Sequence, residues 1–218
     1  MDRLEFLKKM KTAVLAAGLL MMSTSCAFSG NSGNTVLNGD LKFTQADLSV
    51  KPLMEIEIET VADVYYTQTN GDQQDVRLDF SKISDPKFKK QLMENVKVVY
   101  RENKMIIGLA SRVKGISKLK NNERLRVYVT SPDLVKVSLE GVGSFNANAI
   151  NSDVFEIDNE GVGNVNVKNL LANKIEITNE GVGNVRIDNM QSDHVDIDNE
   201  GVGNVQIALF KGGHLGID

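Results

Sequence analysis

Asn159-Glu-Gly-Val-Gly-Asn164 returns as Asn179-Glu-Gly-Val-Gly-Asn184 and again as Asn199-Glu-Gly-Val-Gly-Asn204, and a looser copy, Glu140-Gly-Val-Gly143, precedes all three. The period is 20 residues without slip, and a fixed period of that size marks a repeat architecture. Apolar residues alternate around each copy. Phe155, Ile157, Val162, Val165, Val167 and Leu170 supply one unit; Ile175, Ile177, Val182, Val185, Ile187 and Met190 supply the next. Val195, Ile197, Val202, Val205, Ile207 and Phe210 supply a third, and Val135, Val137, Val142, Phe145, Ala147 and Ile150 a looser first.

Alternation at period two on β-branched residues specifies strands. Two strands per unit are compatible with a meandering chain of hairpins. An identical unit without slip instead lets each residue stack on its own copy, about 4.8 Å away along the axis of a parallel β-helix. The expected fold class is therefore all-β, with a parallel β-solenoid of 20-residue rungs in the C-terminal half. Asn159, Asn179 and Asn199 then fall in register for an amide ladder, and the glycines are expected at the corner.

The rest of the chain limits the choices of function. Its 218 residues include one cysteine and two histidines, His194 and His214. A disulfide framework and a thiolate zinc site are excluded, and little remains for histidine-based acid–base chemistry. The formal net charge of −4 argues against a general nucleic-acid binder. Charge is segregated: residues 97–126 hold nine basic and two acidic residues, net +7, whereas residues 127–218 hold five basic and fourteen acidic, net −9. Opposite solvated faces of this kind attract across a boundary.

Residues 41–130 read as mostly β with one short helix. Glu55–Glu59 and Val76–Phe80 alternate, with a turn at Asn70-Gly71. Val96–Leu109 reads as a hairpin turning near Glu102-Asn103-Lys104, and Arg124–Thr130 as a strand stopped by Pro132. Asp85 before Pro86 opens the helix, with Phe88, Leu92 and Met93 on one face. This segment is either a cap on the repeats or their first irregular rungs.

The N-terminus reads as a targeting segment over residues 1–25. Lys8, Lys9 and Lys11 precede the apolar run Thr12–Met22, and Ser23-Thr-Ser-Cys26-Ala27 follows. The run is too short to span a bilayer. The sole cysteine stands where a bacterial lipoprotein is cut and lipidated; the segment resembles a lipobox, with Ser23 in place of the usual leucine. Ordinary secretion with cleavage after Ala27 is the competing reading. Residues 26–40, rich in Ser, Gly and Asn, are a flexible tether to a head domain whose β-rich N-terminal part is residues 41–130 and whose 20-residue repeats are residues 131–218.

Four features together resemble a known family: the lipoprotein signal, Ile56-Glu-Ile-Glu-Thr-Val-Ala-Asp-Val64, Val98-Val-Tyr-Arg-Glu-Asn-Lys-Met-Ile-Ile107, and Val127-Tyr-Val-Thr-Ser-Pro-Asp-Leu134 ahead of the Gly-Val-Gly repeats. The chain resembles, over about residues 35–218, the auto-transporter adhesin "head GIN domain" family of Bacteroides-type exported lipoproteins. The resemblance implies a right-handed parallel β-helix and a place in the cell envelope, at the outer membrane. It brings no catalytic residue with it.

Glu140, Glu160, Glu180 and Glu200 form one column in such a fold. Carboxylates about 5 Å apart repel unless solvated, protonated or bridged by cations, so the column is a candidate cation ladder or a solvated corner. Arg112, Lys114, Lys118 and Lys120 are a candidate patch for an anionic ligand. No nucleophile–base set or metal-spaced His/Cys cluster is present, and regular rungs leave none differentiated for catalysis. The expectation is a non-enzymatic, membrane-anchored adhesin or surface scaffold without a cofactor, in contact with a surface protein or glycan. A glycan-binding or polysaccharide-cleaving β-helix is the alternative. A fifth unit begins at His214 and the chain stops at Asp218; the last strand offers a bare edge, open either to a second copy end to end or to the continuation of a longer parent chain.

Lipidation makes a direct prediction. The mature protein isolated from its own envelope starts at Cys26 and carries a lipid, read by mass spectrometry of the N-terminal peptide. An unmodified N-terminus at Phe28 would refute it.

Overall fold

The computed structural model describes residues 36–37, 53–111, 113, 115 and 123–218. Cys26, the tether apart from residues 36–37, Arg112, Lys114, Lys118 and Lys120 lie outside the described residues. Every described strand and helix lies within residues 31–218.

The fold is all-β with one short helix among the described residues. Its strands are β1 (Val36–Leu37), β2 (Glu55–Ile58), β3 (Val61–Gln68), β4 (Asp75–Asp79), β5 (Val96–Arg101), β6 (Lys104–Leu109), β7 (Leu125–Ser131), β8 (Lys136–Leu139), β9 (Val142–Asn159), β10 (Val162–Asn179), β11 (Val185–Asp198) and β12 (Val205–Ile217). They join into one curled sheet. β9, β10, β11 and β12 pair in parallel, each residue against the one twenty positions on: Val165 with Val185, Ile177 with Ile197, Met190 with Phe210.

The N-terminal strands use the same register. Ile56 lies against Val137 and Val61 against Val142, both 81 positions on, so β2 and β3 run beneath β8 and the start of β9. β6 and β7 pair in parallel with the other edges of β2 and β3. The direction then reverses: β5 is antiparallel to β6, and β4 is antiparallel to β7. The alternating segments at 55–58 and 75–79 are thus strands, but they do not pair with each other. The hairpin of β5 and β6 turns at Glu102, as expected. The helix, α1 (Pro86–Asn95), is capped by the Asp85 side chain, which accepts from the Lys87 and Phe88 backbone N–H groups at 2.8 and 3.0 Å. It buries Leu92, with Phe88 and Met93 packed beside it.

Inside the curl, like stacks on like. Ile56, Val137, Ile157, Ile177 and Ile197 form one buried column, and Val64, Phe145, Val165 and Val185 another. The expected amide ladder is present: Asn159 Nδ2 donates to Asn179 Oδ1 at 2.6 Å, and Asn179 Nδ2 to Asn199 Oδ1 at 2.5 Å. Asn159 and Asn179 are fully buried, so these bonds replace water that cannot reach them. The ladder ends abruptly. The register partner of Asn159 on β8 is Leu139, and Asn159 Oδ1 is left buried without a hydrogen-bond partner.

One set of expected core residues is corrected. Val142, Val162, Val182 and Val202 are exposed, Val162 by 52%. The reason is parity. Residues 155, 157, 159, 161, 165 and 167 are buried, and Gly163 at the same parity is half-buried, so Gly161 takes the inward place and Val162 turns outward. Alternation shifts instead at Lys168-Asn169 and at Asn173-Lys174, pairs in which both residues are exposed. The glycines serve close packing of successive backbones. A Cβ on Gly161 would lie 2.2 Å from the Gly141 carbonyl oxygen, and one on Gly183 would lie 1.6 Å from that of Gly163.

That contact sets a prediction. Gly183→Ala forces the backbones apart and costs about 3 kcal/mol of stability, read as a lower chemical-denaturation midpoint. Gly71→Ala, with nothing within 4 Å of the added methyl, shifts the parent's stability by less than about 0.5 kcal/mol. Equal midpoints for the two variants would contradict the close approach.

Candidate functional site

The outward residues of the same strands form polar columns. Tyr128, Tyr65, Asn146, Asn166, Arg186 and Gln206 stand in one register line across β7, β3, β9, β10, β11 and β12. At its N-terminal end the rings of Tyr65 and Tyr128 stack with centroids 5.3 Å apart and planes at 20°. The Arg77 guanidinium on β4 sits over the Tyr128 ring, 4.2 Å from its centroid, a cation–π contact. Beside it, Asp63 pairs with Arg124 at 3.3 Å and accepts from the Ser144 hydroxyl at 2.9 Å.

The line continues as amides. Asn146 Nδ2 donates to Ser144 Oγ at 2.9 Å, and Asn166 Nδ2 to Asn146 Oδ1 at 3.1 Å. Asn184 Nδ2 donates to Asn164 Oδ1 at 3.1 Å, and the Asn204 backbone N–H to Asn184 Oδ1 at 3.1 Å. An open groove of about 640 Å³ is lined by Asn164, Asn166, Asn184, Arg186, Asn204, Val205 and Gln206. Aromatic stack, amide rows and arginine make a strip suited to flat polar ligands, which pack on aromatic faces and take hydrogen bonds at their edges. Reading of the repeats alone misses the tyrosines, because Tyr65 and Tyr128 belong to strands outside the 20-residue period.

The glutamates stand in one outward column, and all four are exposed. The column has an earlier member: Ile58 pairs with Leu139, which puts Glu59 beside Glu140. Glu59-Thr-Val-Ala62 is thus a divergent Glu-Gly-Val-Gly, legible as Ile56-x-Ile58-Glu59-x-Val61 against Val137-x-Leu139-Glu140-x-Val142. Carboxylate oxygens of Glu57, Glu59 and Glu140 come within 4.8 Å of one another. Lys104 donates to Glu57 at 2.8 Å and lies 3.7 Å from Glu55.

Electrostatics splits this group. Burial pushes the Glu59 carboxyl up, and its hydrogen bond with Glu57 and the charges of Glu57 and Glu140 push it further. Glu140 is also raised, first by burial and then by Glu57, Glu160 and Asp158. Glu57 is raised by burial but, on balance, held below its ordinary value by hydrogen bonds from Lys104 and Glu59 and by the charges of Lys104 and Lys136. Two carboxyls joined by one hydrogen bond split in this way, and Glu140 is raised by burial and by the charges around it without sharing that bond.

These directions fix the sign of the pH effect. A folded-state value raised above the unfolded one supplies stability below the unfolded value, and that stability is lost as pH rises through the folded value. Glu59→Gln removes the rise, so the variant melts higher than the parent at neutral pH, and the gap closes as pH falls below the ordinary glutamate range. Melting scans at both pH values check it; a gap that persists at low pH would show that charge is not its cause.

No helix among the described residues is long and apolar enough to cross a membrane. Residues 52–217 match the family described as putative auto-transporter adhesin, head GIN domain. Among solved structures the chain is similar to a putative adhesin from Parabacteroides distasonis, at 18% identity and a TM-score of 0.65, over 85% of this chain and 71% of that one. It is also similar to a putative adhesin from Bacteroides fragilis, at 20% identity and a TM-score of 0.55, over 86% of this chain and 97% of that one. At these identities the likeness is one of fold. No curated protein matches the chain. With three quarters of its length covered, including the three motifs between Ile56 and Leu134 and the Gly-Val-Gly units, the chain belongs to the head GIN domain family.

Proposed function

We propose that the chain is an exported adhesin-like protein of the cell envelope, anchored through Cys26, that works by surface contact and not by chemistry. Its head is a parallel β-solenoid, a reading supported by the 20-residue in-register pairing from β9 to β12. The observation that carries the function is the continuous outward strip from the Tyr65–Tyr128 stack to Gln206. Repetition suits adhesion, because each rung offers the same weak contact and the contacts add along the strip.

A glycan is the partner favoured by a specific observation. The tyrosine pair supplies an aromatic end to the strip, with Arg77 against it, and the asparagine rows and Arg186 supply hydrogen bonds for hydroxyl groups. The polysaccharide-cleaving alternative draws no support from this strip, because the clustered carboxylates of Glu57, Glu59 and Glu140 stand on a different column. Binding by a second copy at the β12 edge, and by the basic residues Arg112, Lys114, Lys118 and Lys120, are separate proposals that this strip does not require.

A glycan array followed by product analysis tests the reading. The full-length protein retains glycans and releases no shortened product, and Tyr65→Ala with Tyr128→Ala weakens retention at least tenfold, about 1.4 kcal/mol. Product release would replace the contact reading with the enzymatic one, and undiminished binding by the double variant would move the site elsewhere.

A further inference from the structure

The only two histidines of the chain are twenty residues apart, and the fold stacks them. The rings of His194 on β11 and His214 on β12 have centroids 4.8 Å apart and planes at 15°. Asp196 stands two residues from His194, its Oδ2 3.1 Å from His194 Nε2. One donor atom from each of His194, Asp196 and His214 lies within 4.8 Å of the others.

Comparison along the column shows what differs here. On β10 the same two positions hold Lys174 and Glu176, paired at 3.3 Å. On β11 they hold His194 and Asp196, and on β12 His214 and Gly216. Lys174 and His194 each face a carboxylate two residues on in their own strand, whereas His214 has glycine there and the carboxylate within reach is Asp196. Gly216 also leaves space. A Cβ there would lie 3.2 Å from Asp196 Oδ1 and 3.8 Å from His214 Nε2, so both groups border the gap that the missing side chain leaves.

Two imidazole nitrogens and a carboxylate oxygen are the donor set of borderline transition-metal dications. A tetrahedral ion at about 2.0–2.1 Å holds neighbouring donors roughly 3.3 Å apart. The His194–Asp196 distance already meets that, and His214, exposed and with two rotatable side-chain bonds, closes the remainder by turning. We propose that His194, Asp196 and His214 form a binding site for a zinc-class dication, with a fourth position open to water. The ion clamps β11 to β12 in place of the direct imidazole–carboxylate contact.

The test uses the full-length chain with Cys26→Ser, so that no thiol competes, and zinc chloride as the probe. With two histidines the ring-proton NMR spectrum has two sets of signals, and zinc shifts both at one equivalent. Cobalt chloride gives the ligand-field absorption of a tetrahedral site at the same stoichiometry. His214→Gln and Asp196→Asn each lower zinc affinity at least tenfold, while Lys174→Gln leaves it unchanged. Zinc that shifts neither histidine, or shifts His194 alone, overturns the site whether or not the variants fold. Affinity untouched by His214→Gln overturns it as well.

Discussion

Each residue of the repeats must tolerate its own copy on the next strand, about 4.8 Å away, and this single constraint selects what stands in every column. Valine and isoleucine tolerate it inside, where their branched side chains nest and exclude water. Asparagine tolerates it because an amide is both donor and acceptor, and so satisfies its own copy even at zero exposure. Glycine is required where backbones touch. Glutamate tolerates it only at the exposed edge, and where carboxyls crowd, at Glu59 and Glu140, partial desolvation and neighbouring charge make them hold their protons more tightly.

The columns end where the register meets a different residue, and those ends are the informative places. Leu139 below Asn159 leaves an unpaired buried oxygen. Gly216 above Asp196 leaves a gap that Asp196 and His214 border. Tyr65 and Tyr128 replace the asparagines of later strands and turn a polar row into one with an aromatic end. Function in a repeat fold is therefore sought where the ladder changes composition, not in its regular middle.

Much of this is legible in the amino-acid sequence. The period, the strand direction and the Asn159–Asn179–Asn199 ladder follow from a unit that never slips, and Asp85-Pro86 marks the helix. Two kinds of feature are not. Val162 is apolar by type but outward by parity, and only the unbroken alternation from Phe155 to Val167 assigns it correctly. Glu59, Tyr65 and Tyr128 belong to the same columns as the repeats, but at offsets set by an excursion of β4, α1, β5 and β6 that no period encodes. His194 and His214 stand at the repeat spacing, yet two isolated histidines form no motif until the fold stacks them.

Register is the central claim, and disulfide trapping reads it most directly. Cα atoms of register partners on neighbouring strands lie within the roughly 4.4–6.8 Å that a disulfide spans, whereas a shift of two residues takes them to about 8 Å. In a Cys26→Ser background, Val162→Cys with Val182→Cys, an outward pair held in parallel bridge, oxidises to an intramolecular bond, seen by the mass of the linked peptides. Val162→Cys with Asn184→Cys does not. Equal trapping of both pairs, or trapping of the second alone, would contradict the in-register stacking on which the rest of the molecule depends.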